Sequence, residues 1–182
     1  MTAEPASPES AIWLLPAEED RLALQAEIDR LAARLGSPTF VPHVTVAVNA
    51  GRPLAELDAA LATLAQSHSP CALEVAGVGH GPSFFQCLFL TFVDPSPVTA
   101  LRLEVARALG PPGREPATPH LSLAYAHLGE PERLALAQQI RPPARLRFDS
   151  LVWVAPREGQ IGWDDVAGWR VRGEVPLLES SP

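Results

Sequence analysis

Two short segments, PHVTV at residues 42–46 and PHLSL at residues 119–123, carry the same order of residue types. In each, a His and a hydroxyl residue two positions later are interleaved with apolar residues: His43 and Thr45 with Val44 and Val46, His120 and Ser122 with Leu121 and Leu123. An extended chain sends successive side chains to opposite faces, with neighbours on one face about 6 to 7 Å apart. His43 and Thr45 therefore share a face, while Val44, Val46 and Val48 point the other way into a core. His120 and Ser122 likewise face away from Leu121 and Leu123. An imidazole titrates near neutrality, so two of them can act as general base and general acid in one reaction. Hydroxyls can donate hydrogen bonds to phosphoryl oxygens. Four such groups converging on one cleft can open a cyclic phosphate without a metal ion. One His takes a proton from the attacking water, and the other gives a proton to the departing sugar oxygen.

Either segment alone is weak, because its pattern should arise by chance in roughly one ordinary chain in a few hundred. Two copies at matched places carry far more weight. The remaining histidines, His68, His80 and His127, have no such setting and are expected at the surface or in turns. Metal sites draw on three or four ligands, whereas H-x-T offers one, so neither metal nor other cofactor is expected. A serine hydrolase would present its nucleophile on a strained G-x-S-x-G turn, but Ser122 lies inside a strand pattern.

The elements that must position these residues follow from periodicity. AIWLL reads as a strand. Residues 17–36 read as a helix, with Leu22, Leu24, Ile28, Leu31 and Leu35 near helical spacing, acids in the first turn and Gly36 at the end. The strand at 40–48 follows, then a helix opened by Pro53. CALEVAGVGHG and FFQCLFLTF then read as a hairpin. From residue 97 the order of helix, strand, helix and hairpin recurs. The chain reads as an internal duplication, with a first repeat at about 17–93 and a second at about 97–176, inside one domain spanning 10–178. Two halves packed about a pseudo-twofold axis would bring both His strands to one cleft.

At 182 residues and 47% hydrophobic, the chain can bury an ordinary core. A formal net charge of −7 argues against a grip on long nucleic acid, which depends on neutralising many phosphates. A local positive cluster can still attract a small anion. All 14 basic residues are Arg, a group suited to forked phosphate contacts. Cys71 and Cys87 both lie in apolar runs and read as buried thiols. The first ten residues have neither the basic nor the apolar region of a signal peptide, and no apolar run reaches the roughly 18 to 20 residues of a membrane span. A cytoplasmic monomer with loose ends at 1–9 and 179–182 is expected.

The paired HxTx-type segments resemble the two signatures of the 2H phosphoesterase superfamily. With FFQCLFL and the opening AIWLLP, the chain is similar to the cyclic phosphodiesterase branch known from plants and fungi, over most of residues 11–175. The resemblance implies a bilobal α+β fold with two antiparallel sheets around a central cleft and helices on the outer faces. It implies metal-independent hydrolysis of ADP-ribose 1'',2''-cyclic phosphate, and of nucleoside 2',3'-cyclic phosphates to 2'-phosphates. His43 and His120 would be the acid–base pair, with Thr45 and Ser122 holding the phosphate of a small nucleotide substrate. It also suggests aromatic contacts to the base at Phe85 and Tyr125. Strict alternation puts Tyr125 opposite His120, so it reaches the cleft only if the strand twists or ends there.

Plant members carry further cysteines that form disulfides, so disulfide control of a loop does not transfer. The Gly-containing segment 156–165 reads as either a lid or a plain hairpin loop. Two other functions use the same residues. An RNA end-processing or 2',5' RNA ligase-like enzyme would act on a terminal RNA phosphate, which the acidic balance disfavours. A non-catalytic nucleotide-binding module would not need two proton-transfer groups.

Overall fold

The computed structural model describes residues 10–49, 54–112, 118–157 and 165–178. Its elements are β1 (Ser10–Pro16), α1 (Glu18–Leu35), β2 (Val44–Asn49), α2 (Leu54–Ser67), β3 (Cys71–His80), β4 (Leu88–Phe92), α3 (Ser96–Leu109), β5 (His120–Ala124), α4 (Glu130–Gln139), β6 (Arg145–Pro156) and β7 (Trp169–Pro176). Short 3-10 turns at Phe84–Gln86 and Val166–Gly168 lie between β3 and β4 and between β6 and β7. After β1, the order helix, strand, helix, strand, 3-10 turn, strand therefore occurs twice. The expected tails and most of the 156–165 segment lie outside the described residues.

α1 shows how the sequence sets an element's limits and its buried face. Glu18, Glu19 and Asp20 sit at the positive end of the helix dipole. Gly36 ends the helix in the left-handed conformation at φ 62°, its N–H donating to the Ala32 carbonyl. Leu24, Ile28 and Leu31 face the core, but Leu22 is 66% exposed. Two residues before Leu24 is about 200° around the helix, which turns Leu22 to solvent.

The strands form an antiparallel sheet in the order β1-β2-β5-β4-β3-β6-β7, and β1 also pairs with β6. The sheet thus closes on itself, and the two sheets expected from sequence are one hydrogen-bonded network. β6 makes the closure possible by its length of 12 residues. On one edge it pairs with β3 at residues 145–148 and with β7 at 150–156, and on the other with β1 at 148–154. Helix residues including Ile28, Leu57, Leu61, Val98, Val105 and Leu136 join Leu14, Val44, Leu90, Leu121 and Phe148 in one buried cluster. A smaller cluster on the other side of β1 holds Ala11, Trp13, Leu15, Val48, Val152 and Val154.

Val48 therefore departs from the expected alternation. Ile12 is opposite Ala47 but Trp13 is opposite Thr45, so β2 carries an extra residue, Val46, against β1. Such a bulge shifts the faces of the residues beyond it. Val44, Val46 and Ala47 all join the main core, and Val48 turns to the side of Trp13.

Candidate active site

β2 and β5 meet near their beginnings, with Val44, the first residue of β2, opposite Leu121, the second of β5, in an antiparallel register. Continued one residue each way, this register sets Thr45 opposite His120 and His43 opposite Ser122 on one face. The two histidines are then diagonal neighbours, a relation that spans about 7 to 8 Å in antiparallel sheets. β4 extends the same surface, with Thr91 opposite His120 and Phe89 opposite Ser122.

The two imidazoles are held alike. Nδ1 of His43 lies 2.7 Å from the Val41 carbonyl, and Nδ1 of His120 lies 2.7 Å from the Thr118 carbonyl. A carbonyl only accepts, so each Nδ1 carries its proton and each neutral ring keeps a lone pair on Nε2. Their surroundings differ. His43 is 5% exposed and stacks on Trp13, with ring centres 3.6 Å apart and planes 9° apart. His120 is only partly buried and meets the Phe89 ring edge-on at 5.2 Å. Burial pushes the His43 imidazole down to about 4, opposed by the bond to Val41 and assisted by the charge of His120. His120 is also lowered, by burial first and by the charge of Arg102, against the bond to Thr118.

The hydroxyls are not equivalent either. Thr45 is partly buried, whereas Ser122 is 5% exposed and donates to the Phe85 carbonyl at 3.0 Å. Burial pushes the Tyr125 phenol up, opposed by Ser122. β5 ends at Ala124, which frees Tyr125 from strand alternation. Its ring stacks on Phe40 at 3.8 Å and meets Phe85 and Trp169 edge-on at 5.2 and 5.9 Å. Phe84 and Phe85, read from sequence as strand residues, lie in the 3-10 turn before β4. Phe85 lies 6.2 Å from Trp169 with ring planes 27° apart, and Trp169 stands 6.4 Å from His43.

Trp13 and Trp169 were not singled out by sequence reasoning. The available signal for Trp169 was its place on the uncharged side of the alternating strand WRVRGEV. Away from the pair, His68 pairs with Glu104 at 3.3 Å and His127 is exposed. His80 is partly buried, against the expected surface setting, because it lies within β3 opposite Leu88. Cys71 and Cys87 are free thiols raised chiefly by burial. Among the described residues, no three His, Cys, Asp or Glu side chains cluster as metal ligands, and no helix is long and apolar enough to cross a membrane. A cavity of about 650 Å³ lies between α1 and the connection from α4 to β6. It is floored by Leu90 and Leu123, on the side of β5 opposite His120.

A family model described as the 2'-5' RNA ligase superfamily matches residues 49–160. A protein of Arabidopsis thaliana called cyclic phosphodiesterase is 32% identical over 123 residues, covering 68% of each chain. The chain belongs to the 2'-5' RNA ligase superfamily, the 2H phosphoesterases, and with it to enzymes that hydrolyse phosphodiester bonds. Solved structures share its fold. A phosphoesterase aligns at TM-score 0.60 and 18% identity, covering 95% of this chain and 100% of its own. LigT of E. coli, complexed with 3'-AMP, aligns at TM-score 0.58 and 15% identity, covering 94% and 99%.

Proposed function

We propose that the protein hydrolyses small cyclic phosphates, ADP-ribose 1'',2''-cyclic phosphate or nucleoside 2',3'-cyclic phosphates, by paired-His acid–base catalysis. The observation that carries this reading is the matched mounting of His43 and His120, each with Nδ1 on the carbonyl two residues before it. Both Nε2 atoms are left to handle protons on one sheet face. One Nε2 takes a proton from water as its oxygen bonds to phosphorus. The bond from phosphorus to one sugar oxygen breaks, and the other imidazolium protonates that oxygen. Thr45 donates to a phosphoryl oxygen, and Ser122 joins it by rotating away from Phe85. Phe85 and Tyr125 supply aromatic surface for a base, which stacking holds without selecting. The name of the Arabidopsis relative supports the reaction, and the LigT complex with 3'-AMP supports a small nucleotide as ligand. A terminal RNA phosphate would meet the same four groups, but a net charge of −7 opposes the strand behind it.

Phosphorus NMR of 2',3'-cyclic nucleotides and ADP-ribose cyclic phosphate, incubated with enzyme in excess chelator, should show conversion to monoesters. Activity lost to chelator and restored by a divalent ion overturns the metal-independent mechanism. The pH dependence follows from the two depressed imidazoles. The active form has one His neutral and one charged, so it is most populated between the two macroscopic values of the pair. Both are lowered from the ordinary 6.5, so kcat/KM should peak on the acid side of that value and fall as pH rises. A bound anion favours imidazolium, so the alkaline limb of kcat should lie above that of kcat/KM. A profile level from about pH 5 to 9 would contradict the mechanism.

A further inference from the structure

Arg102 lies on α3, one residue after Leu101 and four after Val98, both buried in the core. Its side chain is partly buried, and Nη2 donates to the backbone carbonyl of Thr45 at 2.8 Å. The register that sets Thr45 opposite His120 rests on Val44 and Leu121, because β2 and β5 overlap only at their beginnings. α3 precedes β5 in the chain, so this bond ties the helix before one His strand to the backbone of the other. Its charge is also felt at His120, the residue across from Thr45.

We propose that Arg102 is a positioning residue that fastens β2 to α3 at the phosphate site and sets a fixed positive charge behind it. The inference rests on the phosphate reading above. A guanidinium stays charged at every working pH. In a chain of net charge −7, it supplies the local positive field that an anionic substrate needs. Charge acts in sequence here, Arg102 on His120 and His120 on His43. Arg102 disfavours a proton on His120, and a bound phosphate favours one. Occupancy of the site and protonation of His120 are thereby coupled.

The test compares Arg102→Met and Arg102→Lys in the full chain. Removing the charge should raise KM for a 2',3'-cyclic nucleotide about tenfold, the effect of losing one partly screened attraction. The inhibition of kcat/KM by added salt should weaken, and the NMR titration of the His120 imidazole should move to higher pH. Arg102→Lys keeps the charge but loses the forked reach. Its His120 titration should stay near that of the unaltered protein, with KM raised by about threefold. If both KM and the titration of Arg102→Met stay within about twofold of the unaltered protein, the proposal fails. A loss of stability with His120 titrating as before would make Arg102 merely structural, which also overturns it. Should Arg102→Met not fold, Arg102→Lys decides: a raised KM at unchanged titration supports the proposal, and an unchanged KM refutes it. Absence of turnover in the unaltered protein defeats the phosphodiesterase reading instead, while the titrations still decide on Arg102.

Discussion

His43→Ala and His120→Ala should each lower kcat by about 10² to 10⁴, the usual contribution of a positioned general acid or base. The double variant should lose much less than the product of the two, because groups that act as a unit are non-additive. The prediction rests on diagonal placement across the β2–β5 register and on the matched anchoring of both rings. Both single variants should fold. His43→Ala opens space beside Trp13, so its stability should be measured alongside its rate. Near-normal turnover in either single variant, or losses that simply multiply, would show that the two rings do not serve one reaction. Cyclic phosphate that still binds the double variant without being opened would support the shared site most directly.

The second large effect is on stability. Phe148 is fully buried, packs edge-on against Phe92 at 6.1 Å, and pairs with Pro16 of β1 and Cys71 of β3. It thus stands where β6 touches both partners that close the sheet. Phe148→Ala should cost about 3 to 5 kcal/mol, combining lost burial with a residual cavity. Urea denaturation should show a lower midpoint with an unchanged slope, since the surface exposed on unfolding is nearly the same. Phe148→Leu should cost markedly less. A loss below about 1 kcal/mol for the Ala variant would mean that the surrounding side chains collapse into the space.

What was legible in the sequence was local in kind. Alternation around His43 and His120 placed each His with its hydroxyl partner on one face, and the order of elements recurs as periodicity indicates. Gly36 ends α1 where its conformational freedom is needed. The misses arise from contacts between distant residues. Val48 turned because β1 meets β2 with a bulge, and nothing in the run VTVAV marks Val46 as the extra residue. Trp13 lies on His43, and Trp169 stands beside both His43 and Phe85, but neither has a sequence neighbour that announces the encounter. Arg102 is one of 14 arginines, and nothing beside it in the sequence sets it apart. Its meaning lies in a carbonyl 57 residues away in sequence. Ser122 was read as facing an open cleft, but a turn carbonyl, that of Phe85, claims its hydroxyl.

The double engagement of β6 also bears on how the chain is made. β1 and β3 each leave one edge that only β6 covers, and β6 begins at Arg145. During synthesis, those open edges would wait until most of the chain has left the ribosome, a period in which unpaired strands can join a neighbouring chain. The barrier to folding is thereby tied to contacts of long sequence separation, which slow the search. β7, which among the described residues β6 alone borders, carries exposed Arg170, Arg172 and Glu174, charges that discourage another strand from docking there. A nascent chain halted before Arg145 lacks both the cover for its early edges and this charged border, and chaperones would meet it as an aggregation-prone client.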